Sequence, residues 1–104
     1  MASDCLFCAI VAGDVPAGIV HSDEHTVAFT DINPQAPTHV LVVPREHVAD
    51  IVEAGGRPDV AATAAELGLD AFRTVFNTGA AVGQSVFHVH AHLLAGRPMG
   101  WPPG

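Results

Sequence analysis

Three histidines alternate with small apolar residues in the segment Gln84-Ser85-Val86-Phe87-His88-Val89-His90-Ala91-His92-Leu93. Successive side chains of a β-strand point to opposite faces, so this spacing predicts His88, His90 and His92 on one face and Phe87, Val89, Ala91 and Leu93 on the other. Imidazole is the only side chain whose ordinary pKa lies near neutrality. A row of three supplies a nucleophile, a general acid or base, or metal ligands at physiological pH. The two cysteines form a second constellation, Cys5-x-x-Cys8. That spacing reads first as half of a zinc site completed by histidine; a redox pair and two inert, packed thiols are the competing readings.

The 104 residues are 49% hydrophobic and 14% charged, which suits one folded domain over residues 1–104 with a modest core. Four basic residues, all arginine, stand against eleven acidic ones for a formal charge of −7. This is the wrong sign for gripping a nucleic-acid backbone, so no nucleic-acid partner is expected. A small phosphate-bearing ligand fits, because histidines and backbone N–H groups polarise a single pocket whatever the net charge. No apolar run approaches the roughly 18 residues of a membrane span, and the start lacks the basic and apolar regions of a signal peptide. The expectation is a cytoplasmic protein without a membrane partner.

The elements that must position these groups read as mixed α and β. Ser3 or Asp4 suits the cap of a short helix, with Leu6 and Ile10, and Phe7 and Val11, four apart, and Gly13 closing it. Residues 19–21 and 26–31 predict a hairpin about the turn Ser22-Asp23-Glu24, leaving His21 and His25 to solvent. Residues 39–43 form a β-branched strand stopped by Pro44. Residues 46–54 and 59–67 suit helices, and residues 71–76 and 86–94 two further strands joined by the loop 77–85. The proline- and glycine-rich tail, residues 96–104, reads as ordered coil over a surface.

His88-Val89-His90-Ala91-His92-Leu93-Leu94 resembles the His-φ-His-φ-His-φ-φ signature of the histidine triad family, with φ an apolar residue, and Trp101-Pro102-Pro103-Gly104 resembles its Hint-type branch. Segments 4–10, 31–39, 77–79 and 83–88 fall where that family's nucleotide-pocket segments fall, so the similarity covers nearly the whole chain. The resemblance implies an α+β fold: a five-stranded, mostly antiparallel sheet with a short N-terminal helix and one or two further helices. It also implies hydrolysis of purine nucleoside 5′-phosphoramidates, an AMP-like ligand and a homodimer.

On that resemblance the middle histidine, His90, is the nucleophile that takes the nucleotide from its amine, and water then hydrolyses the nucleotidyl-histidine. His92 meets the phosphoryl oxygens and aids proton delivery, with Ser85 sharing the task and His39 hydrogen-bonding the triad. The loop Gly83-Gln84-Ser85 aims backbone N–H groups at the phosphate and Asn77 adds an amide, with no requirement for Mg²⁺. Asp31 is placed as the ribose acceptor, and Trp101 is counted with the nucleotide-binding residues. Leu6, Phe7, Ile10, Phe29 and Ile32 are placed as the apolar slot for the base. Turn capping by Asp31 and plain core packing of Phe7, Phe29 and Ile32 are the alternatives. Cys5, Cys8, His47 and His88 are implied as a closed, structural zinc site.

One departure from the family pattern is large. Only about 9 helix-compatible residues follow Pro58, or about 14 Å at 1.5 Å per residue, where Hint-type relatives carry a long helix that helps to build the subunit interface. A weakened or altered dimer is therefore expected. Alternatives to the phosphoramidase are cleavage of dinucleoside polyphosphates or nucleotidyl transfer, a nucleotide- or zinc-binding interaction protein, and a catalytic zinc held by the row His88, His90 and His92. Three successive same-face strand residues seldom converge tetrahedrally, which weighs against the last.

Overall fold

The computed structural model describes residues 5–50 and 59–104. Helix α1 (Leu6–Ala12) begins at Cys5, whose Sγ accepts the Cys8 N–H at 3.3 Å, so a thiol supplies the cap. The expected caps Ser3 and Asp4 lie outside the described residues. Gly13 ends the helix at φ 84°, a left-handed conformation that returns its N–H to the carbonyls of Ala9 and Ile10. Asp59 caps the second helix, α2 (Val60–Glu66), through the Ala62 N–H at 3.1 Å.

Five strands follow in chain order, β1 (Ile19–Ser22), β2 (Thr26–Thr30), β3 (Thr38–Pro44), β4 (Arg73–Phe76) and β5 (Ala91–Ala95). They form one sheet of order β1-β2-β3-β5-β4 in which every pairing is antiparallel, as the α+β expectation requires. The apolar run of β3 is explained by its central place, because it is covered on both faces. Val40 and Val42 pack with Ala28, Ala91, Leu93 and Ala64 of α2, whereas Leu41 and Val43 pack with Val27, Phe29 and Phe7 of α1. Leu41 pairs with His92 and His39 with Leu94, so both histidines stand on the α1 face.

The hairpin turns on Asp23, whose Oδ1 accepts from the amides of His25 at 2.9 Å and Thr26 at 2.8 Å. These bonds, the His25 amide foremost, draw its carboxyl down to about 2. His21 departs from the expected exposure. Its ring is only 11% exposed, lying between Asp23 at 2.9 Å and Glu66 at 3.7 Å and so tying the hairpin to α2.

Three expected elements are corrected. Residues 45–50 run as bends where a helix over 46–54 was expected; residues 51–54 lie outside the described residues. The carbonyls that would close the helix are engaged elsewhere: Val48 O accepts the Val89 N–H at 2.7 Å, and Ala49 O accepts Gln84 Nε2 at 2.8 Å. The last strand occupies Ala91–Ala95 instead of 86–94, and the strand expected over 71–76 is shortened to Arg73–Phe76. His88 and His90 therefore approach the sheet as irregular backbone, and only His92 of the three stands on a strand.

Candidate active site

Leaving the strand separates the histidines from the single face that alternation predicts. Val89, Ala91 and Leu93 are buried as expected, but Phe87 is 51% exposed. The rings form two groups: His90 and His92 have centroids 5.1 Å apart and His92 and His39 5.2 Å, while His88 and His47, 5.0 Å apart, are linked to them through Phe7, 6.1 Å from the His88 ring. The edge of Phe7 meets the His90 ring at 4.9 Å and thereby fixes its plane.

Each ring is assigned a role by the backbone group it meets, because a carbonyl only accepts and an amide N–H only donates. His90 Nδ1 lies 2.9 Å from the carbonyl of His88 and must carry the proton, which leaves Nε2 with a free lone pair. His88 Nε2 lies 2.9 Å from the carbonyl of Pro44, so its Nδ1 lone pair turns the other way. His39 Nδ1 accepts the Gln35 N–H at 2.9 Å; its Nε2–H therefore donates to His92 Nδ1 at 3.0 Å. That bond leaves His92 with its own N–H on Nε2. Burial, then repulsion from His90 and His39, lowers the His92 pKa from the ordinary 6.5, against a smaller opposing pull from Asp31. His92 is consequently a neutral donor at pH 7, beside the His90 ring whose proton is held on Nδ1.

The His88 lone pair faces the second constellation. Its Nδ1 is 3.4 Å from Cys5 Sγ, 3.4 Å from Cys8 Sγ and 3.3 Å from His47 Nδ1, while Cys8 Sγ is 3.2 Å from His47 Nδ1. A tetrahedral zinc spaces sulfur from nitrogen by about 3.5 Å and nitrogen from nitrogen by about 3.3 Å, given bonds of ~2.3 and ~2.0 Å. The Cys₂His₂ donor set thus fits a metal before one binds, and the bond from His88 Nε2–H to Pro44 orients the ligand. Burial, with the hydrogen bond and charge of Cys5, pushes the Cys8 thiol up to about 11. Burial likewise lowers the His88 pKa.

Asp31, His39 and His92 also bring ligand atoms within 4.8 Å of one another. The Gln35 amide weighs against a metal there, because it leaves the proton on the His39 nitrogen that would have to coordinate. Instead Asp31 Oδ2 lies 3.4 Å from His39 Nε2, as a second acceptor for its proton. Neither this group nor the cysteine cluster contains the row His88, His90 and His92, so the catalytic-zinc alternative loses its geometry among the described residues.

The other expected residues are placed as follows. Asp31 Oδ1 accepts the Asn33 N–H at 2.8 Å, so it caps its turn while its second oxygen faces His39. Asn77 sits beside Gly83, which adopts φ 106°, and Ser85 is exposed nearby. The Gln84 side chain braces the loop, donating to Ala49 O at 2.8 Å and Val86 O at 3.2 Å and accepting from Gly79 N at 2.8 Å. The Gln84 backbone N–H is also engaged, donating to Gly79 O at 3.1 Å, and that of Gly83 donates to Ala80 O at 3.1 Å, so the loop amides expected at the phosphate reduce to that of Ser85. Phe7 and Phe29 pack edge to face at 5.4 Å inside the core, Ile10 packs against that cluster, Leu6 is half exposed, and Ile32 and Trp101 stand in solvent. Sequence reasoning missed Gln35 and Pro44 as the groups that set the rings, and no side-chain pattern marks a backbone amide or carbonyl.

Fold and site together define a protein with a row of histidines beside a Cys₂His₂ cluster that could hold a metal ion. The HIT domain profile matches residues 12–99, and the chain belongs to the HIT domain family. It is 40% identical to a 14 kDa zinc-binding protein of Zea mays, over 98% of this chain and 89% of that one. It is 37% identical to a purine nucleoside phosphoramidase of Escherichia coli K12, over 96% and 93% of the two chains. A crystal structure of a HIT family hydrolase from Legionella pneumophila superposes with a TM-score of 0.83 at 43% identity, covering 96% of this chain and 99% of that one.

Proposed function

We propose that this chain hydrolyses the P–N bond of purine nucleoside 5′-phosphoramidates through a nucleotidyl-His90 intermediate. One observation carries the reading: the His88 carbonyl holds the proton of His90 on Nδ1 and leaves Nε2 as a neutral nucleophile. Nε2 attacks the α-phosphorus and the P–N bond breaks. The nitrogen gains a proton drawn from water past the exposed Ser85, and the amine departs neutral. His92 Nε2–H donates to the phosphoryl oxygens, and the Ser85 amide and Asn77 assist. Water then cleaves the P–N bond to His90, giving a nucleoside monophosphate and restoring the ring.

Zinc at Cys5, Cys8, His47 and His88 serves structure in this reading, supported by the fit of the donor set and by the zinc-binding relative. It joins α1 to the segment that carries His90. The working unit is a cytoplasmic homodimer; among the described residues β4 ends the sheet with an unpaired edge, the kind of feature a second subunit covers. The short helix α2, seven residues long, makes that association weaker than in relatives with a longer helix.

The deciding experiment compares hydrolysis of adenosine 5′-phosphoramidate by the wild type and His90→Ala, with bound metal and oligomeric state measured on the same samples. Turnover that disappears in His90→Ala while AMP affinity persists supports the reading. A folded, AMP-binding wild type without turnover refutes it and leaves a binding protein. Faster turnover of dinucleoside polyphosphates reassigns the substrate.

A further inference from the structure

The hydrogen bonds that fix the His92 proton continue past Gln35 into the C-terminal tail. Gln35 lies in the irregular loop 31–37, exposed and outside the sheet. The β3–β5 ladder ends at the pair Thr38 and Ala95, so the loop enters β3 where the tail leaves β5. Two contacts join them beyond that point. Arg97 donates its Nε–H to Gln35 O and an Nη1–H to Pro98 O, each at 2.9 Å, so loop and tail grip one guanidinium together. Gly96, at φ 96°, lies so near the loop that a Cβ there would stand 3.0 Å from Pro37 Cβ.

Between Arg97 and His92 the path of bonds is unbroken. The Gln35 N–H donates to His39 Nδ1 at 2.9 Å, and His39 Nε2–H to His92 Nδ1 at 3.0 Å. The first of these depends on where the loop puts residue 35. Within the loop the bonds are short-range, from the Asn33 N–H to Asp31 Oδ1 at 2.8 Å and from Gln35 Nε2 to Asn33 O at 3.0 Å. Arg97 is a charged donor that reaches residue 35 from 62 positions away. If residue 35 withdraws, His39 loses the amide that keeps its proton on Nε2, and Asp31 Oδ2, at 3.4 Å, is the weaker hold. A proton moved to His39 Nδ1 leaves Nε2 as an acceptor. The His92 proton then crosses to Nδ1 to meet it, and His92 Nε2 becomes a bare lone pair.

We propose that Arg97 is a positioning residue: by strapping the tail to the loop it holds the His92 proton on Nε2, where the phosphoryl oxygens need a donor. It acts through Gln35 and His39 and requires no contact with the substrate. The donor state of His92 is thus conditional on a docked tail, and the kinetic consequence rests on the phosphoramidase reading.

The test reads the tautomer directly. Long-range proton–nitrogen correlation spectra of protein labelled at its histidines, taken well above the ordinary histidine pKa, distinguish His92 protonated on Nε2 from His92 protonated on Nδ1. Two variants lift the tail by different routes: Arg97→Ala removes the strap, and Gly96→Ala drives a methyl against Pro37. The wild type is expected to show the Nε2–H form alone and both variants a mixture with the Nδ1–H form. Hydrolysis of adenosine 5′-phosphoramidate is followed on the same samples. Arg97→Ala is expected to lower kcat about three- to tenfold with KM within about twofold, inside the roughly 13-fold limit set by loss of the His39 bond. In a His39→Ala background the same substitution is expected to cost less than about 1.7-fold, because the path it works through is already cut. An unchanged His92 tautomer in either folded variant overturns the proposal. So does a kcat loss that persists in full in the His39→Ala background, which would assign Arg97 to a route of its own. A tautomer shift in the variants of a wild type that hydrolyses no amidate supports the strap and counts against the phosphoramidase reading alone.

Discussion

Replacing His39 by alanine removes the one group that holds the proton of His92 on Nε2. His39 is buried and its Nε2–H reaches His92 Nδ1 at 3.0 Å. Such a neutral hydrogen bond is worth a net ~0.5–1.5 kcal/mol, which at 1.36 kcal/mol per decade becomes a rate loss of about 2- to 13-fold. The donor stabilises neutral His92, and His39 also opposes its protonation by charge, so both losses raise the His92 pKa. His39→Ala is therefore expected to lower kcat within that range and to move the acid limb of the kcat–pH profile to higher pH. His39→Gln places an amide N–H near the lost donor and is expected to recover kcat to within about threefold of wild type. The assay is hydrolysis of adenosine 5′-phosphoramidate from pH 5 to 9, with folding checked by circular dichroism. A folded His39→Ala with wild-type kcat and an unmoved acid limb would refute the relay. So would His39→Gln behaving as alanine does.

The sheet core, the metal and the titration of the site make three further predictions. Leu93 is fully buried among Val40, Val42 and Ala91, so Leu93→Ala is expected to cost about 2.7–5 kcal/mol in urea denaturation; a loss under about 1 kcal/mol contradicts this packing. Chelation, or Cys8→Ser, is expected to remove at least about 2.7 kcal/mol where free zinc exceeds its Kd a hundredfold, and an unchanged melting temperature after verified metal loss would exclude a structural role. Because burial first, then the neighbouring rings, hold the His92 pKa below 6.5, its contribution to stability is complete above that pH and is lost as pH falls through the lowered value. The kcat acid limb is accordingly expected below pH 6.5, and a midpoint at or above 7 would show that His92 is charged in the working site.

The parts of this molecule that follow from local pattern were readable in the chain itself. Gly13 stops α1 because glycine adopts the left-handed conformation that closes a helix, and the β-branched run before Pro44 became the doubly covered central strand. Cys5, Cys8, His47 and His88 were associated through a family resemblance, and the structure brings all four together. Pattern failed where long-range bonds compete with local ones. Residues 46–50 have helical spacing, but Val48 O and Ala49 O are held by Val89 and Gln84, whose positions no periodicity reports. The alternation of residues 86–94 suggested a strand, yet the His90 ring bonds the backbone of His88, and the ladder begins at Ala91. His21 was misplaced for a related reason: Glu66, its second partner, lies 45 positions away on α2.

Three chemically identical side chains differ here in which ring nitrogen keeps its lone pair, and what tells them apart is main chain: the carbonyls of Pro44 and His88 and the amide of Gln35. Division of labour is thus written in the course of the backbone. The side chains at positions 35 and 44 are free to drift in evolution without disturbing the assignment, since every residue carries a carbonyl and all but one carry an amide N–H. The exception is proline at position 35, which would erase the amide and, two hydrogen bonds away, release the proton of His92.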